Sequence, residues 1–375
     1  RQDLTDVWEM EMELLPILIH MRAHGVRVNL DGAEKLKKEF LEREKKALLK
    51  IKKAAGIDVD IWAARSIAKA FDKLKISYPL TEKAKEPSFT QNWLTNCEAP
   101  IAGLIREARE VNKFHSTFID SIFKFEHNGR IHAEINQLKG DLGGTVSGRL
   151  SYAHPNLQQI PARNKDLGPR IRSLFLPDKL CKWGSFDYSQ QEPRLVAHYA
   201  SSIGFNGSEE LVEAYKNENA DFHQTVADMA GIPRSQAKTI NLGIFYGMGK
   251  NKLSRELGID KDQAELILKE YNAKVPFVKQ LANRAAESAD KNGAIWTLKG
   301  RKCRFEQWEP SSFGLHKATN FEDAVNKYGK NSIKRAGTYK ALNRLIQGSA
   351  ADQVKQAMID CAKKNYYPLT HHGFE

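Results

Sequence analysis

The stretch RSQAKTINLGIFYGMG (234–249) sets Arg234, Lys238 and Tyr246 four and then eight residues apart. On an α-helix a step of four residues turns about 400° and rises about 6 Å. Arg234, Lys238, Leu242 and Tyr246 then follow a slow spiral along one side, and Arg234 to Tyr246 spans about 18 Å. That is the length of an extended nucleoside triphosphate. Cations at the N-terminal end suit phosphates, where the helix dipole adds to their pull. Tyr246 would lie near a base, and Gly247 leaves room beside the ring for another chain. The plain alternative is an exposed Arg and Lys, with Leu242 and Tyr246 packed in a core. A second stretch, FDYSQQEPRLVAHYA (186–200), places Asp187 at the end of an apolar strand, before a helix whose first turn Pro193 can open. An acid at a strand end facing a cleft suits magnesium, although lone strand-end aspartates also serve as caps. Glu192 follows five positions later.

The elements that must hold these residues belong to a chain of 375 residues, 41% hydrophobic, long enough for two or three domains or one multi-lobed enzyme. Lys and Arg number 58 against 46 Asp and Glu, a net charge of +12 with a pI near 9.3, which favours a polyanionic partner. The four cysteines (Cys97, Cys181, Cys303, Cys361) form no CxxC pair, which argues against a zinc ribbon or redox motif and for a reduced, intracellular compartment. No apolar run reaches the length of a membrane span, and no signal peptide is recognisable. The chain begins at Arg1 rather than Met, as a piece of a longer protein would.

Along the chain, WEMEMELLPILIHMRAHGVRVN (8–29) predicts a helix ending at Gly25 and then a short strand. Residues 33–55 predict an amphipathic helix with Leu36, Phe40, Leu48 and Ile51 inward and a lysine-rich outer face, either simply solvated or set against a nucleic-acid backbone. Further helices and loops fill 57–128. GRIHAEINQ (129–137) alternates like a strand, and 138–174 reads as loop and turn. CKWGSFDYS (181–189) reads as a strand, 191–292 as mainly helix, WTLKGRKCRF (296–305) as a strand or hairpin, and 318–364 as helix again.

Taken together, DYSQQEPR (187–194) and the Arg234–Lys238–Tyr246–Gly247 spacing resemble motifs A and B of family A DNA polymerases, the bacterial DNA polymerase I group with its phage and plastid relatives. Four further stretches are similar to segments of that family in the same order: GTVSGRLSYAHPNLQQIP (144–161), DFHQTVADMAGI (221–232), TLKGRKCRF (297–305) and ALNRLIQGSAAD (341–352). The resemblance implies a helix-rich α+β chain with the right-hand polymerase fold, in which an antiparallel β-sheet palm carries helical fingers and a helical thumb. Its implied divisions are a segment leading into the palm (1–30), a thumb (31–128), a first part of the palm with motif A (129–200), fingers with motif B (201–340), and a second part of the palm (341–375), incomplete at motif C.

The implied chemistry is two-metal phosphoryl transfer with two Mg²⁺ ions, on the partners primer–template DNA and dNTP. Asp187 matches the metal-binding carboxylate and Tyr188 would lend its backbone carbonyl. Glu192 matches the gate that crowds the sugar 2′ position. Arg234 and Lys238 match a triphosphate clamp, with His223 and Gln190 as further nucleotide contacts and Lys238 as a proton donor to pyrophosphate. Leu242 would face the incoming sugar, and Tyr246 the template-base position. Arg149 and Gln347 match readers of the primer end, and Asn156 and Gln159 lie where the family contacts nucleic-acid backbone. For Asn156 a turn role, and for Gln347 a buried helix role, stay open. The implied setting is the cytoplasm of a bacterial cell or phage-infected host, in replication or repair, with no processivity factor identifiable.

Two departures stand out. Leu242 occupies a position where many family members carry Phe or Tyr. The His-Asp-Glu of motif C, expected about 20 residues after Gln347, is not matched by YYPLTHHGFE (366–375), which offers no Asp. The expectation is a truncated polymerase with little or no activity as written. The competing readings are a single-subunit RNA polymerase, which Glu192 opposes, and a catalytically silent primer–template binding module.

Overall fold

The computed structural model describes residues 3–81, 84–141, 143–161, 164–216, 221–245, 248–312, 314 and 316–364. Helix α1 (Thr5–His24) opens it and ends at Gly25, whose φ is +63°. A Cβ there would sit 2.6 Å from the Ile131 carbonyl oxygen, so the turn into β1 (Val26–Val28) requires glycine. Asn29 caps α2 (Leu30–Ala55) by accepting the Gly32 N–H at 2.9 Å. Leu36, Phe40 and Ile51 of α2 are buried as the helical spacing predicts, Leu48 is only half-buried with Ala47 buried beside it, and most of the charges between them are exposed. Helices α3 (Ala64–Lys73), α4 (Gln91–Asn96) and α5 (Pro100–Lys113) close on the far half of α2 around Phe71, Phe89 and Ile105. A wide π-turn (Phe114–Ile119) then leads into α6 (Asp120–Phe125).

The alternating segment 129–137 does not make one strand. It follows β2 (Glu126–His127) and divides into β3 (Arg130–Ile131) and β4 (Glu134–Asn136), which join different sheets. The stretch expected to be mostly loop also carries β5 (Ser151–Ala153), α7 (Leu167–Arg172) and, just past its end, β6 (Phe175–Leu176). The larger sheet runs β2-β3-β1-β6, with antiparallel register Val26↔Ile131 and Arg27↔Leu176, and β4 pairs with β5.

Residues 181–188 form no strand, contrary to the sequence expectation, and Trp183, Phe186 and Tyr188 are exposed there. An extended segment becomes a strand only when another backbone satisfies its N–H and C=O groups. None among the described residues does so.

From here the chain is helical: α8 (Gln191–Ile203), α9 (Ser208–Ala214), α10 (Phe222–Ala230), α11 (Arg234–Phe245), α12 (Lys250–Leu257), α13 (Lys261–Lys274) and α14 (Pro276–Asn292). They share one core that includes Val196, Phe222, Ile240, Tyr271 and Phe277. The hairpin expected at 296–305 is β7 (Ala294–Trp296) with β8 (Lys302–Arg304). Strand β9 (Trp308–Pro310) pairs, after α15 (Phe321–Tyr328), with β10 (Ile333–Arg335). The last described element is α16 (Ala341–Lys363), which packs against α1, α8 and α14. Gly348 lets α16 lie close to the hairpin, since a Cβ would meet Thr297 Cγ2 at 2.7 Å.

A buried ionic cluster fastens α1, the β7–β8 hairpin and α16 together. Arg301 Nε donates to Asp352 Oδ1 at 2.7 Å, and the same guanidinium pairs with Glu11. Lys355 Nζ donates to Glu11 Oε1 at 2.7 Å, and Thr297 Oγ1 to Asp352 Oδ2 at 2.5 Å. Two cations face two carboxylates, so the cluster is neutral overall. Burial pushes the Glu11 carboxyl up, but Lys355 and Arg301 together outweigh it and hold the group below its ordinary value of 4.5.

Candidate active site

Helix α10 starts at Asp221, whose side chain accepts the N–H groups of His223 and Gln224 at 2.9 and 3.2 Å. The chain turns at Gly231 and resumes as α11 after Pro233. One flank of α11 sends Ala237, Ile240 and Asn241 into the core, while Arg234 and Lys238 are exposed beside it. The two cations therefore stand on one face, one helical turn apart, as the sequence predicts. Leu242 lies on the same helix, but its side chain, and all of Tyr246 and Gly247, fall outside the described residues.

Arg234 is not idle here. Its Nε donates to Asp221 Oδ2 at 2.9 Å, so it bridges the starts of α10 and α11. Partial burial raises the Asp221 pKa, but Arg234 and the capped N–H groups prevail and leave it lowered. Lys238 makes no ion pair among the described residues. His223 is 9% exposed, with Nδ1 turned inward to Asn241. Burial chiefly, aided by the Lys238 and Arg234 cations, holds His223 below its ordinary 6.5 against the pull of Asp221.

Asp187 and Tyr188 precede α8 on the exposed segment. Gln190 ends that segment in a left-handed conformation, φ +53° and ψ +43°, and opens α8. Its Oε1 accepts the Phe222 N–H at 2.7 Å and the Tyr215 hydroxyl at 3.4 Å, which ties the acid-bearing segment to the first turn of α10. Gln191 reaches the other way, from Nε2 to the Ala350 carbonyl of α16 at 3.2 Å. Glu192, in the first turn of α8, is ion-paired with Arg149, so the structure brings two predicted site residues into contact.

Gln347 sits half-buried on α16 and is hydrogen-bonded or otherwise partnered within the protein. Asn156 accepts the Gln158 N–H at 3.1 Å and caps a 3₁₀ turn (Leu157–Gln159), the turn role held open above. Gln159 is exposed at the end of that turn, and both residues line a small cleft with Pro155 and Phe118.

The donor set for two Mg²⁺ ions is not complete among the described residues. Asp187 offers one exposed carboxylate, and no group of three or more His, Cys, Asp or Glu side chains is placed to hold a metal. One carboxylate does not offset the repulsion between two divalent ions. The sequence positions that fail to match motif C lie in 365–375, outside the described residues.

Several residues that shape this site escaped the sequence reading. Asp221 and Asn241 are short polar residues inside stretches quoted for other reasons. Asn241 was findable, because it falls on the buried side of α11 with Ala237 and Ile240, where a polar residue must have partners.

Small antiparallel sheets, a helical lobe around α2 and a helical lobe carrying the cationic face beside an acid-bearing segment together define a right-hand polymerase fold. Residues 30–368 match the model of DNA polymerase family A, and the chain belongs to that family. It is 36% identical to a DNA-directed DNA polymerase of Pseudomonas phage M6 over 96% of this chain and 59% of that protein. It is 33% identical to the thermostable DNA polymerase I of Thermus filiformis over 94% of this chain and 40% of that one. The POL domain of Pol1 from M. smegmatis, solved in complex with DNA primer-template and dNTP, superposes with a TM-score of 0.73 at 27% identity, covering 95% of this chain and 60% of that one. The chain thus spans about three-fifths or less of these relatives' length. No helix among the described residues is long and apolar enough to cross a membrane.

Proposed function

We propose that this chain carries the nucleotide- and primer-terminus-binding part of a template-directed DNA polymerase, which adds deoxynucleotides to a primer 3′ end. The observation that carries the reading is the face of α11, where Arg234 and Lys238 stand one turn apart in solvent while the adjoining flank, with Ala237, Ile240 and Asn241, is locked into the core. A helix presenting two cations near its N-terminus suits a polyphosphate, with Lys238 already free of ion pairs among the described residues and Arg234 needing to leave Asp221.

In this reading Lys238 meets the phosphates directly and is the proton donor to departing pyrophosphate. Arg234 joins it after exchanging Asp221 for phosphate, and His223 and Gln190 add hydrogen bonds. Glu192 fills the space at the sugar 2′ position, and its pairing with Arg149 holds it there. Arg149 and Gln347 face the primer end, with Asn156 and Gln159 toward the backbone of the duplex. Leu242 and Tyr246 take the sugar and template-base positions. Residues 31–128 form the thumb, 201–340 the fingers, and the stretches on either side the palm. When bound, a Mg²⁺ pair would activate the 3′-hydroxyl and steady the leaving pyrophosphate, and Asp187 and the Tyr188 carbonyl would be among the groups that hold it. The donors among the described residues do not complete that site.

The test is binding of a fluorescent primer–template across a salt series, with dNTP and rNTP as competing ligands. The reading expects affinity that falls linearly on a log–log salt plot and a preference for deoxyribose. Salt-independent binding, or a preference for ribonucleotides, would overturn it.

A further inference from the structure

Asn241 is fully buried on the apolar flank of α11. Its Oδ1 accepts the hydroxyl of Tyr271 on α13, and its Nδ2 donates to His223 Nδ1 on α10 at 3.2 Å. A hydrogen-bonded line therefore runs from the core of the helical lobe to the edge of its cationic face.

Two patterns would connect these three groups. In the first, Tyr271 donates to the amide oxygen and the amide N–H donates to Nδ1. Nδ1 must then carry a lone pair, so the ring is neutral with its proton on Nε2. In the second the amide is turned over, its N–H₂ faces the Tyr271 oxygen, and its oxygen accepts from a protonated Nδ1. That pattern strands the Tyr271 hydroxyl proton. Tyr271 is 1% exposed, and among the described residues Asn241 is its acceptor. An orphaned buried donor disfavours the second pattern by roughly tenfold or more. Burial also drives the Tyr271 pKa far above its ordinary value, so the hydroxyl keeps its proton and remains a donor.

The charges around the ring agree. Arg234 and Lys238 on α11 oppose a second ring proton, and Asp221 at the start of α10 favours one. From α13 the group in line with the ring is the neutral Tyr271 hydroxyl, acting through Asn241. Nε2, on the far side of the ring from Asn241, makes no hydrogen bond among the described residues.

We infer that Asn241 and Tyr271 are positioning residues that hold His223 as a neutral Nε2–H donor toward the triphosphate, so that it supplies a directed hydrogen bond and no charge at neutral pH. The inference rests on reading α11 as the triphosphate face.

The experiment is nitrogen NMR of the 375-residue chain with [¹⁵N]histidine, using His223→Gln to assign the resonance. Tyr271→Phe and Asn241→Asp are compared with the wild type, and dATP alone is titrated against each over pH. In the wild type Nδ1 should resonate as an unprotonated nitrogen, and the ring should protonate below pH 6.5. Tyr271→Phe removes the reason for the amide orientation and should raise that midpoint by about one unit, the equivalent of the tenfold bias. Asn241→Asp should raise it further, because a carboxylate accepts from Nδ1–H. The wild type should bind dATP almost evenly between about pH 7 and 8.5. The Asp variant, whose carboxylate draws the neutral ring's proton to Nδ1, should bind about tenfold more weakly near pH 8 and recover as the pH falls through its raised midpoint, where Nε2 again carries a proton, while the Phe variant, left with an even tautomer balance, should lose only about twofold. A purely structural role for the pair would not give that recovery.

A protonated Nδ1 in the wild type, or an unchanged midpoint in folded variants, overturns the inference. If Tyr271→Phe does not fold, the wild-type tautomer and the Asp variant decide it. Absence of dATP binding by the wild type would instead sink the triphosphate reading of α11, and the tautomer result would be read separately.

Discussion

Replacing Asp352 with Asn keeps the shape of the side chain and removes one negative charge from the cluster that joins α1, the β7–β8 hairpin and α16. Asp352 is fully buried and accepts from Arg301 Nε at 2.7 Å and Thr297 Oγ1 at 2.5 Å. The substitution leaves two cations, Arg301 and Lys355, facing Glu11 alone. Breaking a buried pair by removing one partner costs about 3–5 kcal/mol, because the remaining charge is uncompensated. At about 2.1 cal/mol/K per residue, a chain of 375 residues has an unfolding entropy near 0.8 kcal/mol/K, so the midpoint should drop by about 4–6 °C if the chain melts as one unit.

Lys355→Met added to Asp352→Asn restores neutrality, and the double variant should recover at least about 1 kcal/mol relative to the sum of the singles. Thermal melting followed by circular dichroism gives all four corners of the cycle. The pH dependence supplies a second reading. Glu11 is held below its ordinary 4.5, so the unfolded chain binds more protons in that window and stability rises with pH. Its contribution is complete above about pH 4.5 and is lost as the pH falls through the lower folded value, and Glu11→Gln should flatten that limb. A midpoint shift under about 1 °C for Asp352→Asn, with strictly additive singles, would refute the assignment of the cluster as a charge-balanced clamp.

Asp221→Asn keeps an α10 cap but releases Arg234, so dNTP affinity should rise by about two- to fivefold, the worth of an exposed ion pair; weaker binding in the same titration would show that Asp221 orients Arg234 rather than competing for it. Glu192→Ala removes the side chain held by Arg149, and the dATP-over-rATP preference in competition binding should fall by about tenfold or more; an unchanged ratio would remove Glu192 from the sugar position. Leu242→Tyr, which adds a ring and hydroxyl on α11, should alter discrimination between deoxy- and dideoxynucleotides, and identical ratios for the two proteins would count against Leu242 as the sugar contact.

The parts of the site that the sequence displayed are those whose spacing is itself the signal. Arg234 and Lys238 stand four apart on a helix that needs only local bonds, so period alone placed them on one face. Gly25 likewise announced a helix stop, whereas Asn29, read as the end of a strand, shows its capping role only in the bond to Gly32. The ionic cluster was illegible because Glu11 and Lys355 lie 344 positions apart, each within a stretch already rich in charge. Only the packing of α16 on α1 and the hairpin brings them together. The alternation at 129–137 was real, but the chain changes sheets in its middle, at His132 and Ala133. The apolar run before Asp187 misled for a different reason: β-propensity marks a residue that fits a sheet and does not supply the neighbouring strand. Asn156 shows the same limit, since a turn cap and a backbone contact call for the same side chain.

The central claim is that α11 reads a triphosphate through Arg234 and Lys238. It is tested most directly by calorimetric titration of deoxyadenosine, dAMP and dATP against the wild type, Arg234→Ala and Lys238→Ala at low salt. The account predicts that affinity climbs with phosphate number in the wild type, and that each variant binds dATP about tenfold or more weakly, the loss expected for a charge-assisted hydrogen bond. Deoxyadenosine should be unaffected by either change, and both variants should melt like the wild type. Equal dATP affinity in all three proteins, or binding that ignores phosphate number, would contradict it.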